Sequence, residues 1–519
     1  MENYGIGSWP QRRRPKSRSK VALISEDQVT TYEQLAERST KLANALRDRG
    51  ITKGDTVAYL GENHPTFLDV LFACGLLGAI FVPLNTRLAP PELHFQLQDC
   101  GAVALIHTQS LQSSASAAAK GTLVSRRVIV DDLPADHTTI ADGGTLPETE
   151  DFEALLGSGI DRHIDEAVGP NDGAMILYTS GTTGKPKGAF LTHGNITANC
   201  FNVIVDFDFT SMDVALMISP MFHVASLAMG VLPTLLKGGT VVLETKFDPQ
   251  RALKLVRDHG VTTLSGVPTT FQMMCEHADW QAADLSSLNK LTCGGSAVPM
   301  RVLEAYEQRG LRFSNGYGMT EAAAGVTTLP AHRSREKAGS SGLPHFFTDV
   351  RIADPAGTSV PAGAIGEIQI KGPNVISHYW KRPDASVDAY THDGWFKSGD
   401  IGFKDEEGFV FVSDRIKDMI ISGGENIYPA EIEQLIGELE AVETVAVIGI
   451  PDKKWGEVPK AVIIRREGSQ LTEDQIRKHL NGRLARYKIP KHVEFVADMP
   501  RTASGKILKT SLREFNPSS

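Results

Sequence analysis

The run Tyr178-Thr179-Ser180-Gly181-Thr182-Thr183-Gly184-Lys185-Pro186-Lys187-Gly188 gathers hydroxyls, glycines and lysines into one short stretch suited to holding phosphates. Glycine lets backbone N–H groups turn toward an anion, Ser and Thr hydroxyls donate to a moving phosphoryl oxygen, and lysine supplies positive charge. The combination points to nucleotide triphosphate chemistry. An ordinary P-loop is disfavoured: that motif needs Lys followed by Ser or Thr and then a helix, whereas Lys185 precedes Pro186 and Ala189-Phe190-Leu191 predicts a strand.

Four further clusters follow in order: Asn315-Gly316-Tyr317-Gly318-Met319-Thr320-Glu321, Trp395-Phe396-Lys397-Ser398-Gly399-Asp400, Asp414-Arg415-Ile416-Lys417-Asp418 and Pro500-Arg501-Thr502-Ala503-Ser504-Gly505-Lys506. In this order the motifs resemble the adenylate-forming superfamily of acyl-CoA synthetases, luciferases and peptide-synthetase adenylation domains, over nearly the whole chain. Each also makes chemical sense alone. Gly316 and Gly318 admit a flat purine close to the backbone, Tyr317 offers a stacking face, and Gly295, Ser296 and Ala297 line the other side. Thr320 supplies a hydroxyl for phosphate, and Glu321 a hard carboxylate for Mg²⁺, an ion that keeps most of its waters. The resemblance adds Thr182 beside Glu321 at the metal. Asp400 accepts from both ribose hydroxyls, and Arg415 donates to the same sugar. Taken singly, each of these two would read as a surface ion pair.

The elements that position these groups follow from length and pattern. With 519 residues, 41% of them hydrophobic, the chain is too long for one ordinary domain. A net charge of −9, from 53 basic and 62 acidic residues, gives no global field for nucleic acid or an anionic membrane. Cys74, Cys100, Cys200, Cys275 and Cys293 are scattered without metal-ligand spacing, which implies a reducing, cytoplasmic setting and no structural metal. No signal sequence is visible, and the basic run 12–20 reads as a solvated arm. The longest apolar run, 67–82, is shorter than a membrane span, contains Asp69 and reads as a buried helix. GxSxG, HExxH and GxGxxG are absent, which disfavours hydrolase, zinc-peptidase and dinucleotide-binding readings.

Thr31 and Gln34 predict a capping box, with Leu35, Leu42 and Leu46 on one helical face. Strands are expected at 56–60, 79–84 and 102–106, with helices between, and a second α/β repetition from Met175 to about Val326. The Ser/Ala tract 110–119 and the polar stretch 131–150 read as surface excursions. Residues 342–412 suggest a small β-barrel or sheet. After it come a helix from Pro429, strands near 444–450 and 460–464, and a helix opened by Thr472 and Gln475. The expected fold is therefore α/β: a large N-terminal domain, 1–416, of two α/β subdomains plus the small β unit, then a small mobile α+β domain, 417–519.

The resemblance implies two half-reactions at one site. A carboxylate oxygen attacks the α-phosphorus of ATP to give acyl-AMP and pyrophosphate, then the thiol of coenzyme A displaces AMP. Lys417 stands at the family's hinge position, Lys506 is placed on the carboxylate and α-phosphate, and Gly423 and Gly424 then admit pantetheine. Trp455 and Tyr487 flank the CoA adenine, against an even alternative of ordinary packing. The family often has Gly where this chain has Asp414, which alters charge without removing a contact. In Pro220-Met221-Phe222-His223-Val224 no aspartate follows the aromatic, which disfavours an amino acid substrate. His223 is expected at the acyl group. Ala322-Ala323-Ala324-Gly325-Val326, with Val224, Ala225, Val267 and Pro268, suggests an apolar pocket with small walls. A medium or long fatty acid is the first reading, a cinnamate or ferulate the second, and a non-catalytic acyl-adenylate-binding protein the alternative from another class. A homodimer and peripheral membrane contact stay open. Removing the aimed charge with Lys506→Ala costs about 3 to 4 kcal/mol at the transition state, so adenylation should slow roughly a hundred- to thousandfold. An unchanged pyrophosphate-release rate would remove the assignment.

Overall fold

The computed structural model describes residues 2–514 apart from 27, 133–148, 180–185, 295–297, 416–417, 423–424, 482 and 502–506. Four sheets organise these residues. A seven-stranded sheet runs in the order Thr149–Asp151, Arg126–Val130, Ala104–Thr108, Thr56–Leu60, Ile80–Pro83, Gly173–Thr179, Lys187–Thr192. Its strands are parallel except for the last pair, the antiparallel hairpin that carries the phosphate-loop motif. A nine-stranded sheet runs Leu343–Pro344, Thr327–Leu329, Phe313–Tyr317, Lys290–Gly294, Thr263–Gly266, Val214–Met217, Thr240–Leu243, Val21–Ser25, Gln28–Thr31.

The two sheets do not divide the chain where the sequence suggested. Gly173–Thr179 and Lys187–Thr192 close the first sheet rather than opening the second. Val21–Ser25, near the N-terminus, pairs in parallel with Thr240–Leu243 of the second. Parallel pairing is non-local, so local pattern cannot assign a strand to its sheet. One core cluster nonetheless draws on both sheets and on the small β unit, through Phe81, Met217, Val241 and Ile370.

The capping box at Thr31 and Gln34 is present, and Leu35, Leu42 and Leu46 are buried on the helix Tyr32–Asp48. The apolar run 67–82 is not one helix. It is the helix Pro65–Leu77 followed by the strand Ile80–Pro83, divided at Gly78, whose φ of 67° is left-handed. Buried Asp69 on that helix is paired with Arg38 at 2.9 Å. The Ser/Ala tract is likewise structural: Gln112–Ala119 is a helix whose Ala115, Ala118 and Ala119 pack with Leu93 and Leu97. Small side chains let it lie close to its neighbours.

The small unit is a four-stranded antiparallel sheet, Asp349–Ala353, Gly366–Lys371, Phe396–Lys404, Val410–Arg415, an open path and not a closed barrel. Beyond it, Ile420–Ser422, Glu425–Ile427, Val442–Asp452, Gly456–Arg465 and His492–Val496 form a separate sheet, packed with the helices Pro429–Gly437 and Glu473–Leu480 around their own core. The capping box at Thr472 and Gln475 is present here too. No helix among the described residues is long and apolar enough to cross a membrane.

The basic arm is docked along one face and solvated along the other, where Arg12, Lys16 and Arg18 are exposed. It forms the helix Trp9–Ser17, in which Arg13 donates to the carbonyl of Leu236 at the end of the helix Leu232–Lys237, and Arg14 pairs with Asp161 at 2.9 Å. Just ahead of it, the N–H of Ile6 donates to Nδ1 of His193 at 3.2 Å. That bond requires an unprotonated nitrogen, and burial pushes the His193 pKa down to about 4, with Asp172 opposing and Lys53 assisting. Because the unfolded chain takes up this proton near pH 6.5 and the folded chain only near 4, stability is full above 6.5 and falls as pH drops through that window. The loss from this group amounts to about 3 kcal/mol. The thermal midpoint should decline across that range, and His193→Gln should lessen the decline; an unchanged acid slope in the variant would contradict the assignment.

Candidate active site

The hairpin Gly173–Thr179 and Lys187–Thr192 brings Thr179 and Lys187 into register as direct partners, with the loop motif between them. Ser180, Gly181, Thr182, Thr183 and Gly184 lie outside the described residues, as do Gly295, Ser296, Ala297, Lys417, Gly423, Gly424 and Lys506. Glu321 stands in the 3₁₀ turn Thr320–Ala322, which follows the strand Phe313–Tyr317, and is 7% exposed. Oε1 of this carboxylate accepts from Thr179 Oγ1 at 3.4 Å and from Tyr379 Oη at 3.0 Å. The ammonium of Lys187 lies over the Tyr379 ring, 5.3 Å from its centroid. Thr179 and Lys187 of the first motif and Glu321 of the second thus meet at one place. Half-buried Thr320 is the neighbour of Glu321.

Tyr379 was missed by sequence reasoning. It sits in a segment lying against the outer edge of the seven-stranded sheet: the Trp380 N–H donates to Gly188 O at 2.7 Å, and the Phe190 N–H to His378 O at 3.3 Å. Phe190 stacks on both His378 and Trp380. The Ile376 N–H donates to the Glu321 carbonyl at 2.8 Å, so one short segment holds both the backbone and the carboxylate of that residue. The only available signal was a tyrosine among aromatic neighbours, without the alternation of a strand.

The nucleoside side is assembled from two sheets. Tyr317, at the end of Phe313–Tyr317, donates its hydroxyl to Asp400 Oδ2 at 2.5 Å; Asp400 is 3% exposed. Arg415 is the register partner of Asp400 on the adjacent strand, which places both expected sugar-binding residues side by side. A carboxylate has about four acceptor positions, and Tyr317 takes one of them. Asn315 donates from Nδ2 to Ser340 O at 3.3 Å, while its buried Oδ1 takes no hydrogen bond among the described residues. Such an acceptor fits an exocyclic amine of a purine. Gly316 pairs with Gly294 and with Thr328, and Gly318 crosses the chain so tightly that a Cβ there would lie 1.5 Å from the carbonyl oxygen of Ala324. Met319 is half-buried against the main core. Oxygen donors on Glu321, Thr179 and Thr320 form a set suited to Mg²⁺.

On the acyl side, Ala322, Ala323, Ala324, Val326 and Val224 share a core cluster with Met217, Met221 and Leu227. Val267 and Pro268 are half-buried, whereas Ala225, expected in the same wall, is exposed. Ala323 and Ala324 both adopt left-handed φ values, 51° and 95°. Asn374 Nδ2 clamps this turn by donating to Ala322 O at 3.0 Å and Gly325 O at 2.8 Å. His223 has a buried Nε2 without a hydrogen-bond partner among the described residues. Burial, helped by the charge of Arg87, lowers its pKa to about 4, so the imidazole stays neutral at working pH. Trp455 is not brought to this cluster. It stands at a hairpin tip, 46% exposed, with Lys454 over its ring at 4.7 Å, and Tyr487 is exposed as well. Asp414 does more than alter charge: its Oδ2 accepts the N–H of Ala430 at 3.0 Å, in the first turn of Pro429–Gly437.

Two family models match the chain, the AMP-binding enzyme over residues 11–380 and the AMP-binding enzyme C-terminal domain over 431–506. A feruloyl-CoA synthase of Amycolatopsis sp is 49% identical across 99% of both chains. An indoleacetate–CoA ligase of Aromatoleum aromaticum is 40% identical across 98% of both. A long-chain-fatty-acid–CoA ligase of Mycobacterium tuberculosis is 36% identical across 99% of this chain and 98% of its own. Among solved structures, ATP-bound MatB from Rhodopseudomonas palustris aligns with a TM-score of 0.89 at 30% identity, covering 99% of each chain.

Tyr379→Phe removes the phenol that donates to Glu321 and keeps the ring under Lys187. Outer partners of a metal-holding carboxylate matter by about 10- to 100-fold in metal affinity or activity. The magnesium concentration giving half-maximal pyrophosphate release should therefore rise about tenfold, while AMP affinity measured by calorimetry stays constant. A variant with unaltered magnesium dependence would show that the contact is only structural.

Proposed function

We propose, from the premise that the chain belongs to the AMP-binding enzyme family, that this AMP-forming acid–thiol ligase activates an aromatic acid of the hydroxycinnamate type and joins it to coenzyme A. The observation that carries the reading is the 49% identity, end to end, with a feruloyl-CoA synthase. The fatty acid expected first from sequence has weaker support, since the long-chain ligase relative stands at 36%. The wall built from Ala322, Ala323 and Ala324 agrees with a flat ring, which needs width close to the carboxylate.

In this reading Asn315, Gly316, Tyr317, Gly318, Met319, Asp400 and Arg415 hold the adenosine, and the loop 179–184 with Lys187 and Thr320 holds the phosphates. Gly295, Ser296 and Ala297 face the purine. Glu321 and Thr182 hold magnesium, which when bound neutralises phosphate charge. Lys506 bridges carboxylate and α-phosphate while the carboxylate oxygen bonds to phosphorus and pyrophosphate leaves. His223, neutral and buried, lies against the acyl group. The domain 417–519 then swivels about Lys417 to present Gly423 and Gly424 to pantetheine, the thiol bonds to the acyl carbon and AMP departs. Trp455, exposed on its hairpin tip, receives the CoA adenine by its face.

AMP release measured with and without CoA over hydroxycinnamates, other aryl acids and fatty acids tests the substrate class. Hydroxycinnamates should exceed any fatty acid by about tenfold or more in kcat/KM. Turnover of long alkanoates in the absence of turnover with cinnamates would overturn the reading.

A further inference from the structure

The stretch 322–326 links two ends of the site. At its start lies Glu321, beside the reacting phosphates in the reading above, and at its finish lies Val326, whose N–H donates to Tyr317 O at 3.0 Å. An acid whose carboxylate sits at the first end lays its tail toward Gly325. Gly325 has no side chain, and the space is taken by others: a Cβ there would meet Asn199 Oδ1 at 2.8 Å and His345 Cδ2 and Nε2 at 3.0 Å.

His345 is 2% exposed and firmly held. Its own N–H donates to Val326 O at 3.0 Å, and Nδ1 is 2.5 Å from Asp206 Oδ2, which also accepts the N–H of Phe346 at 3.3 Å. A hydrogen bond donated from Nδ1–H to that carboxylate selects the tautomer whose lone pair is on Nε2. That nitrogen is buried and takes no hydrogen bond among the described residues. An acceptor kept dry and unpaired next to a ligand wall is a cost unless a ligand donor meets it.

We infer that His345 forms the far end of the acyl pocket and accepts a hydrogen bond from a hydroxyl at the distal end of the acid, selecting para-hydroxylated aromatic acids. The inference rests on the aromatic-acid reading and names the residue that reads the ring substituent. Asn199, which accepts the Gly325 N–H at 2.9 Å and donates to Ala228 O at 2.9 Å, fixes the backbone against which the ring lies. Asp206 acts through His345, as a positioning residue that sets its tautomer.

The test compares 4-hydroxycinnamate with cinnamate, acids that differ by that hydroxyl, in the wild type, His345→Phe and His345→Gln. The wild type should favour the hydroxylated acid by about tenfold or more in kcat/KM. In His345→Phe the ratio should collapse toward unity, with unchanged AMP affinity by calorimetry as the check on folding. His345→Gln, which keeps an acceptor oxygen, should recover part of the preference. An unchanged ratio in His345→Phe, or an equal loss on both acids, would overturn the role of His345 and leave the aromatic reading standing. Wild-type turnover of neither acid would sink the aromatic reading and this inference with it.

Discussion

A single carboxylate, that of Glu321, is withdrawn from water at the place where the three units of the large domain meet, and the site is organised by what keeps it there. A buried anion is costly unless it is paired and hydrogen-bonded. The seven-stranded sheet provides Thr179, the segment leading to the small sheet provides Tyr379, and Glu321 itself follows the strand Phe313–Tyr317 of the nine-stranded sheet. Docking of these units and assembly of the site are therefore one event. The same segment fastens to the outer strand through Trp380 and Gly188, so a slip of its register would carry Tyr379 away from Glu321.

Local chemistry was readable in the sequence; long-range pairing was not. Capping boxes at Thr31 and Thr472 depend on residues three apart, and both are present. Thr179, Glu321, Tyr317 and Asp400 were chosen from distant motifs, and hydrogen bonds join them as two pairs. The errors came from ambiguity of another kind. A continuous apolar run reads equally as a buried helix or a buried strand, and 67–82 is both in succession: the helical reading ran past Gly78, while the strand expected at 79–84 is present as Ile80–Pro83. Arginines in 12–20 look solvated because their partners, Leu236 and Asp161, lie more than a hundred residues away. Tyr379 escaped for the same reason, since its importance lies wholly in a contact with Glu321.

The acyl side rests on backbone rather than on large side chains. Left-handed conformations at Ala323 and Ala324 cost about 1 to 3 kcal/mol each and persist only where the surroundings over-determine them. Asn374 and Asn199 supply that constraint from buried positions, and the bare backbone of Gly318 permits the crossing beneath. A turn made this way is thin, because its side chains are small, and stiff, because both of its ends are clamped.

The carboxy-terminal domain shows the opposite balance of internal and external ties. Lys509 of its last described helix pairs with half-buried Glu433 at 2.8 Å, and Arg513 with Asp418 at 3.1 Å. The described helix that follows Lys506 is therefore bound into its own domain. Toward the large domain, Arg466 meets Glu276 at 3.5 Å with both side chains substantially exposed, a pair worth about 0 to 1 kcal/mol. The Asp414 carboxylate, reaching the Ala430 N–H from the last strand of the small sheet, sits beside the proposed pivot and adds one hydrogen bond across it. For the swivel proposed about Lys417, these internal pairs keep the carboxy-terminal domain a single body, so that one rotation would exchange the groups presented to the nucleotide.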